Sequence, residues 1–121
     1  MTKVLLVDDY ALIRNSISLH LQMEGFEVIA ARNGVDALSK LTSGIDCVVT
    51  DIIMPEMDGL ELAKTIRESP RQAVPIIVMS ADRRPQVRQA ALDAGANRFL
   101  IKSIDTFHKN LVLVLQELLS K

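Results

Sequence analysis

Four of the short apolar runs in this 121-residue chain end beside groups that can do chemistry. "KVLLV" is followed by Asp8 and Asp9, "DCVVT" by Asp51, and "RFLI" by Lys102, while "PIIVMS" ends on Ser80. Carboxylates are costly at the edge of a buried apolar segment, so their recurrence there needs a reason. Singly, each residue has an ordinary one. Asp9 can cap a helix start, Asp51 can accept from local backbone N–H groups, Ser80 can be a turn hydroxyl, and Lys102 can be a solvated lysine or the partner of one acid. Gathered on one edge, the three acids repel and raise one another's pKa unless a cation intervenes. Lys102 supplies one positive charge, and a divalent metal is the natural remainder. Oxygen-only ligands favour Mg²⁺, with Mn²⁺ or Ca²⁺ next, over zinc. A carboxylate beside such a metal can attack phosphorus and form an acyl phosphate. The metal and Lys102 would neutralise the transferring oxygens, and Ser80 would donate a hydrogen bond to one of them. In that chemistry Asp51 is the nucleophile, and its place at the edge gives the donor access.

Elements that bring distant positions to one edge are written into the same pattern. Lys3 to Val7, Phe26 to Ala31, Asp46 to Thr50, Pro75 to Ser80 and Arg98 to Ile101 are nearly continuous apolar runs, as in strands buried on both faces of a parallel sheet. Helix-length segments lie between them. Tyr10 to Glu24 carries Leu12, Ile13, Ile17 and Leu21 and stops at Gly25. Val35 to Leu41 follows Asn33-Gly34, and Leu60 to Glu68 follows Asp58-Gly59. Pro85 to Ala94 begins on proline and ends at Gly95, and Thr106 to Ser120 can be capped by Asp105. The alternation predicts an α/β fold: a doubly wound five-stranded parallel sheet, order 2-1-3-4-5, with helices on both faces. Ligands then bind beyond the carboxyl ends of the strands, where the winding reverses between strands 1 and 3.

Composition narrows the functional classes. The length suits one domain with one core, and 49% hydrophobic residues allow a packed interior. A net charge of −1 gives no global reason to bind nucleic acid or an anionic membrane. The single cysteine, Cys47, lies in an apolar run and reads as a buried, inert thiol. "MTKVLLVDD" reaches acids before any adequate signal-peptide core, and no run approaches a membrane span. The expectation is a cytoplasmic protein.

The ordered motifs "LLVDD" (Leu5 to Asp9), "DIIMPEMDGLEL" (Asp51 to Leu62), "MSA" (Met79 to Ala81) and "DAGANRFLIK" (Asp93 to Lys102) resemble the receiver domain of two-component response regulators over essentially the whole chain. The resemblance implies a single domain over residues 1–121 in which Asp51 accepts phosphate from a histidine kinase or phosphotransfer protein. It implies Mg²⁺ (or Mn²⁺) held by Asp8 and, more directly, Asp9, with Asp51 and the backbone carbonyl of Ile53. Ser80 and Lys102 would contact the phosphoryl group, and Phe99 stands at the aromatic switch position. Ile53 and Asp82 occupy the two positions that tune phosphoryl lifetime in the family: Ile53 cannot orient a water, whereas Asp82 offers a carboxylate. The protein would not be an enzyme beyond catalysing its own phosphorylation and dephosphorylation. The departure is Ser103, where the family usually has a proline, often after a cis bond. A cis bond without proline costs ~3 kcal/mol, which favours a trans Lys102–Ser103 peptide.

Other functions fit less well. A haloacid dehalogenase-type phosphatase places its nucleophile at the first strand in an Asp-x-Asp pattern; here Ile53 stands where the second acid would be, and a cap domain is absent. An FMN carrier of the same topology needs phosphate-binding donors after strand 1, where Asp8-Asp9 stand, and aromatic content is only 3%. A degenerate receiver acting only as a binding module would lack site residues, and all are present. His20 and His108 are expected on helices, far from the acidic edge, as solvated or half-buried residues. "DRRPQVR" (Asp82 to Arg88) reads as a solvated helix start or protein-docking surface.

The expected output is protein contact by a stand-alone receiver, through the face of helix 4, strand 5 and helix 5. On the last helix Phe107, Leu111, Val114, Leu115 and Leu118 recur at helical spacing and can cover the sheet. Val112 and Leu119 extend that stripe, and Leu113 points nearly opposite. The surplus apolar surface would dock a downstream partner or a second copy, with Arg84, Arg88 and Arg98 pairing with a partner's acids.

Overall fold

The computed structural model describes residues 1–103 and 106–120. Five strands alternate with five helices: β1 (Lys3–Val7), α1 (Ala11–Met23), β2 (Glu27–Ala31), α2 (Gly34–Lys40), β3 (Cys47–Asp51), α3 (Gly59–Arg67), β4 (Ile76–Ser80), α4 (Pro85–Asp93), β5 (Arg98–Ile101) and α5 (Phe107–Leu119). All neighbouring strands pair parallel, in the order β2-β1-β3-β4-β5. This is the doubly wound sheet expected from the alternation.

Side chains alternate across the three central strands and divide the interior in two. Leu5, Val7, Val48, Ile76 and Val78 face Ala37 of α2, Leu62 and Ile66 of α3, and Ala91 of α4. Val4, Leu6, Val49, Ile77 and Met79 face Ile17 and Leu21 of α1 and Phe107, Leu111 and Leu115 of α5. Each fully buried Leu, Ile or Val contributes about 1.5–3 kcal/mol, so β1, β3 and β4 anchor the molecule.

Helix starts are locally encoded. The Asn33 side chain accepts from the Asp36 N–H at 2.8 Å and starts α2. Asp58 does the same from Glu61 N–H at 2.8 Å and starts α3. Pro85 opens α4, and Gly95, at φ +115°, lets the chain leave it toward β5. Thr106 precedes α5 as its N-cap residue and makes no side-chain cap bond. The expected cap, Asp105, lies outside the described residues.

Several boundaries shift by one residue from expectation. β3 includes Asp51, whose backbone still pairs with Met79. β2 begins at Glu27, after the buried Phe26. α2 begins one residue early, at Gly34. No cis peptide occurs among the described residues, so Lys102–Ser103 is trans.

Candidate functional site

Strand register gathers the polar groups. Val7 lies opposite Thr50, so Asp8 and Asp51 leave adjacent strands in step. Ser80 lies opposite Ile101, so Lys102 emerges beside it. These groups converge on the carboxyl-end rim.

Asp8 is completely buried. Its Oδ1 accepts from Tyr10 N–H at 3.0 Å, and its Oδ2 from Lys102 Nζ at 3.0 Å. Its backbone oxygen accepts from Arg14 at 2.8 Å. Asp51 is half-buried; its Oδ1 accepts from Ile52 N–H at 2.8 Å, and its Oδ2 lies 3.1 Å from the same Lys102 Nζ. One ammonium therefore bridges two carboxylates. Asp9 is exposed, yet it brings an oxygen into a cluster in which one carboxylate oxygen each from Asp8, Asp9 and Asp51 lies within 4.8 Å of the others.

The electrostatics are unbalanced. Burial pushes the Asp51 carboxyl above its ordinary range; the pull of Lys102 opposes this and the Asp8 charge adds to it. Burial works against the Lys102 ammonium, but Asp8 and Asp51 outweigh it, and its pKa rises. Lys102 thus stays charged, while the oxygen cluster retains unpaired negative charge. A hard divalent cation with several waters matches that donor set.

Ser80 is buried, and its Oγ accepts from Asp82 N–H at 3.0 Å. A hydroxyl used as acceptor keeps its proton for donation. The Asp82 carboxylate is engaged by Arg84. Arg84 grips it with Nε at 3.0 and 3.1 Å from its two oxygens and an Nη at 2.7 Å. The Arg84 N–H adds a fourth bond at 3.0 Å. The guanidinium holds the Asp82 carboxyl at about 2. Ile53 is 78% exposed, and its side chain carries no polar group to the rim.

The loop after Asp51 is braced by residues whose role the sequence did not reveal. Gly59 N–H donates to Ile52 O at 2.8 Å, and a Cβ on Gly59 would run into the Asp51 carbonyl oxygen. Thr50 Oγ1 donates to that same oxygen at 2.8 Å. Glu56, at φ 68°, accepts from Asn33 Nδ2 at 2.9 Å and ties the loop to the start of α2. Asp58-Gly59 and Asn33-Gly34 were legible as helix punctuation, but not as supports of this loop.

On the expected output face, Phe99 is half-buried against the interior beneath α2, α3 and α4. Val112 is buried in the opposite core, which removes it from any docking surface, whereas Leu113 is 53% exposed. Arg84 pairs with Asp82, and Arg98 with Glu117 at 3.4 Å, so Arg88 is the one of the three arginines without an ion pair among the described residues. His108 is not remote from the rim: it lines the same cavity as Lys102.

Comparison with known proteins agrees with this geometry. A family described as the response regulator receiver domain matches residues 4–112. The transcriptional regulatory protein ResD of Bacillus subtilis is 35% identical over 84% of this chain and 42% of its own length. The protein-glutamate methylesterase/protein-glutamine glutaminase 3 of Rhodospirillum rubrum is 39% identical over 100% of this chain and 33% of its own. The chain thus spans about a third to two fifths of these relatives. Among solved structures, the chemotaxis response regulator CheY4 of Vibrio cholerae superposes with a TM-score of 0.89 at 34% identity, covering 98% of this chain and 99% of that one. The response regulator TrrA of Thermotoga maritima, solved in complex with Mg(2+)-BeF, gives 0.85 at 36% identity and covers 98% and 100%.

Proposed function

Because the chain belongs to the response regulator receiver domain family, we propose that it is a phosphorylation-activated receiver in which Asp51 takes a phosphoryl group from a histidine kinase or phosphotransfer protein. The observation that carries this reading is the single Lys102 ammonium shared by Asp8 and Asp51, with Asp9 completing an oxygen cluster around them. The carboxylates of Asp8, Asp9 and Asp51 and the backbone carbonyl of Ile53 would hold Mg²⁺ (or Mn²⁺). The ion supplies charge neutralisation on the phosphoryl oxygens.

Asp51 Oδ attacks the phosphorus of a phosphohistidine donor. A P–O bond forms, the P–N bond breaks, and the imidazole leaves with the electron pair. Lys102 meets the charge on one transferring oxygen, and the Ser80 hydroxyl donates to another. Ser80 then moves toward the phosphoryl group and opens space that Phe99 occupies; a phenyl ring does so without burying a polar atom. The switch would be read at the face of α4, β5 and α5 by a protein partner or a second copy, with Leu113 as its apolar contact. It is a population shift biased by one new hydrogen-bond acceptor. The reading places the domain over residues 1–121, in the cytoplasm, without direct contact to nucleic acid or membrane. No described helix is long and apolar enough to cross a membrane.

Acetyl phosphate with Mg²⁺ should add one hydroxylamine-labile phosphoryl mass to the protein and none to Asp51→Asn. Labelling of Asp51→Asn to the same extent overturns the assignment. No labelling of wild type favours a binding module that no longer accepts phosphate.

A further inference from the structure

Away from the acidic cluster, two imidazoles from opposite ends of the chain face each other. His20 lies in the last turn of α1 and His108 in the first turn of α5. Their ring centres are 5.1 Å apart, and the planes are tilted by 51°. Ser16 stands one helical turn before His20, on the same face of α1. Its Oγ lies 3.2 Å from His108 Nε2, so that nitrogen is directed at α1 rather than into solvent. Both rings are half-buried. Beside His108 a cavity of about 310 Å³ is lined by Ile13, Ser16 and Ile17 of α1, Phe107 of α5 and Lys102.

We infer that His20 and His108 form a binding site for a divalent transition-metal ion such as Zn²⁺ or Ni²⁺, which clips the start of α5 to the end of α1. The geometry suits it. A metal bonded at ~2.0–2.1 Å to one nitrogen of each ring sits about 3.2 Å from each ring centre. Two rings meeting at a tetrahedral metal therefore have centres about 5 Å apart, which is the separation found. Imidazole pairs select zinc, nickel or copper over the hard cations that suit the carboxylate rim. Water fills the remaining positions. An ion here would hold the first turn of α5 against the last turn of α1.

The experiment titrates Zn²⁺ into the intact chain in excess Mg²⁺, so that the carboxylate site is occupied, and follows the imidazole ring resonances by NMR. The ring signals of His20 and His108 should move together and saturate at one ion per chain. The thermal midpoint should rise by a few degrees with Zn²⁺ concentration, as expected for a ligand of the native state alone. Replacing either residue, as His20→Gln or His108→Gln, should weaken binding at least tenfold. Asp9→Ala should leave Zn²⁺ binding at the imidazoles unchanged. Unmoved imidazole signals overturn the site, as does equal Zn²⁺ affinity in the double His→Gln variant. Loss of the imidazole shifts in Asp9→Ala would place the ion at the acidic rim instead. None of these readouts depends on phosphorylation of Asp51.

Discussion

The two ends of the sheet use cationic side chains in opposite ways. At the carboxyl end, Lys102 offers one ammonium to two carboxylates, with a third close by. At the amino end, around the starts of β4 and β5, Arg67 is saturated by neutral oxygens. It donates to Gly95 O at 3.0 and 2.7 Å, to Val74 O at 2.6 Å, to Gln72 O at 2.7 Å and to Asn97 Oδ1 at 2.8 Å. Asn97 Oδ1 accepts in turn from Ile76 N–H at 2.8 Å. Arg71 donates to Ile45 O nearby, although its Nε is buried without a partner. The amino end is a structural joint in which a guanidinium satisfies loop carbonyls. The carboxyl end leaves charge uncompensated, which costs stability and which, in the proposed function, a cation and a phosphoryl group would use.

The contrast breaks most visibly at Arg67. Arg67→Ala should destabilise the fold by about 2–4 kcal/mol, because several carbonyl groups lose their donor together. Urea denaturation measures this. The folded fraction should still be labelled by acetyl phosphate at the wild-type rate. A variant of wild-type stability would show that water replaces the guanidinium at no cost.

At the rim the sign reverses. Burial raises the Asp51 pKa in the folded state, so its ionisation opposes folding. That penalty is absent below the unfolded-state value and grows as pH rises through the folded one. Asp51→Asn should therefore be more stable than wild type at pH 7, with the difference closing toward pH 3. A variant less stable at pH 7 would mean that the Lys102 pair outweighs the burial.

The core between the two ends should be chemically silent. Burial pushes the Cys47 thiol up to about 12. Iodoacetamide at pH 8 should leave the native protein unmodified over hours and alkylate it readily in denaturant. Alkylation at equal rates in both conditions would show that β3 opens locally.

How much of this was legible depends on the range of the forces involved. Asp8, Asp9, Asp51, Ser80 and Lys102 were readable because each follows or ends a strand-like apolar run, and parallel register then brings the run ends together. The alternation with right-handed crossovers implied a doubly wound parallel sheet, and the order expected for it, β2-β1-β3-β4-β5, is the one found. Strand ends were readable only to within a residue, since Asp51 keeps its ladder pairing after the apolar pattern has stopped. Val112 was misplaced because a wide apolar stripe does not show which edge of it the sheet covers. The meeting of His20 with His108 depends on how α1 and α5 pack, which no local pattern encodes. The Arg67 joint was invisible because its acceptors are backbone oxygens, and every residue carries one.

The smallest effect concerns the rim's own exception. Asp82 is an acid at the carboxyl end, yet it is fully engaged, by the guanidinium and N–H of Arg84. It stands two residues after Ser80, and its own N–H holds the Ser80 oxygen. While Arg84 grips it, its carboxylate has no oxygen to spare for a water near the Asp51 phosphoryl group. Arg84→Ala should leave stability and the extent of phosphorylation unchanged, because the pair is solvent-exposed and screened. The released carboxylate should then orient water for attack, and phospho-Asp51 should decay severalfold faster. Adding Asp82→Ala to Arg84→Ala should restore the slower decay. High salt should move the wild type part of the way toward the Arg84→Ala rate, since it weakens the same pair. An unchanged decay rate in Arg84→Ala would mean that the Asp82 carboxylate never reaches the phosphoryl group and that the pair only shapes the start of α4.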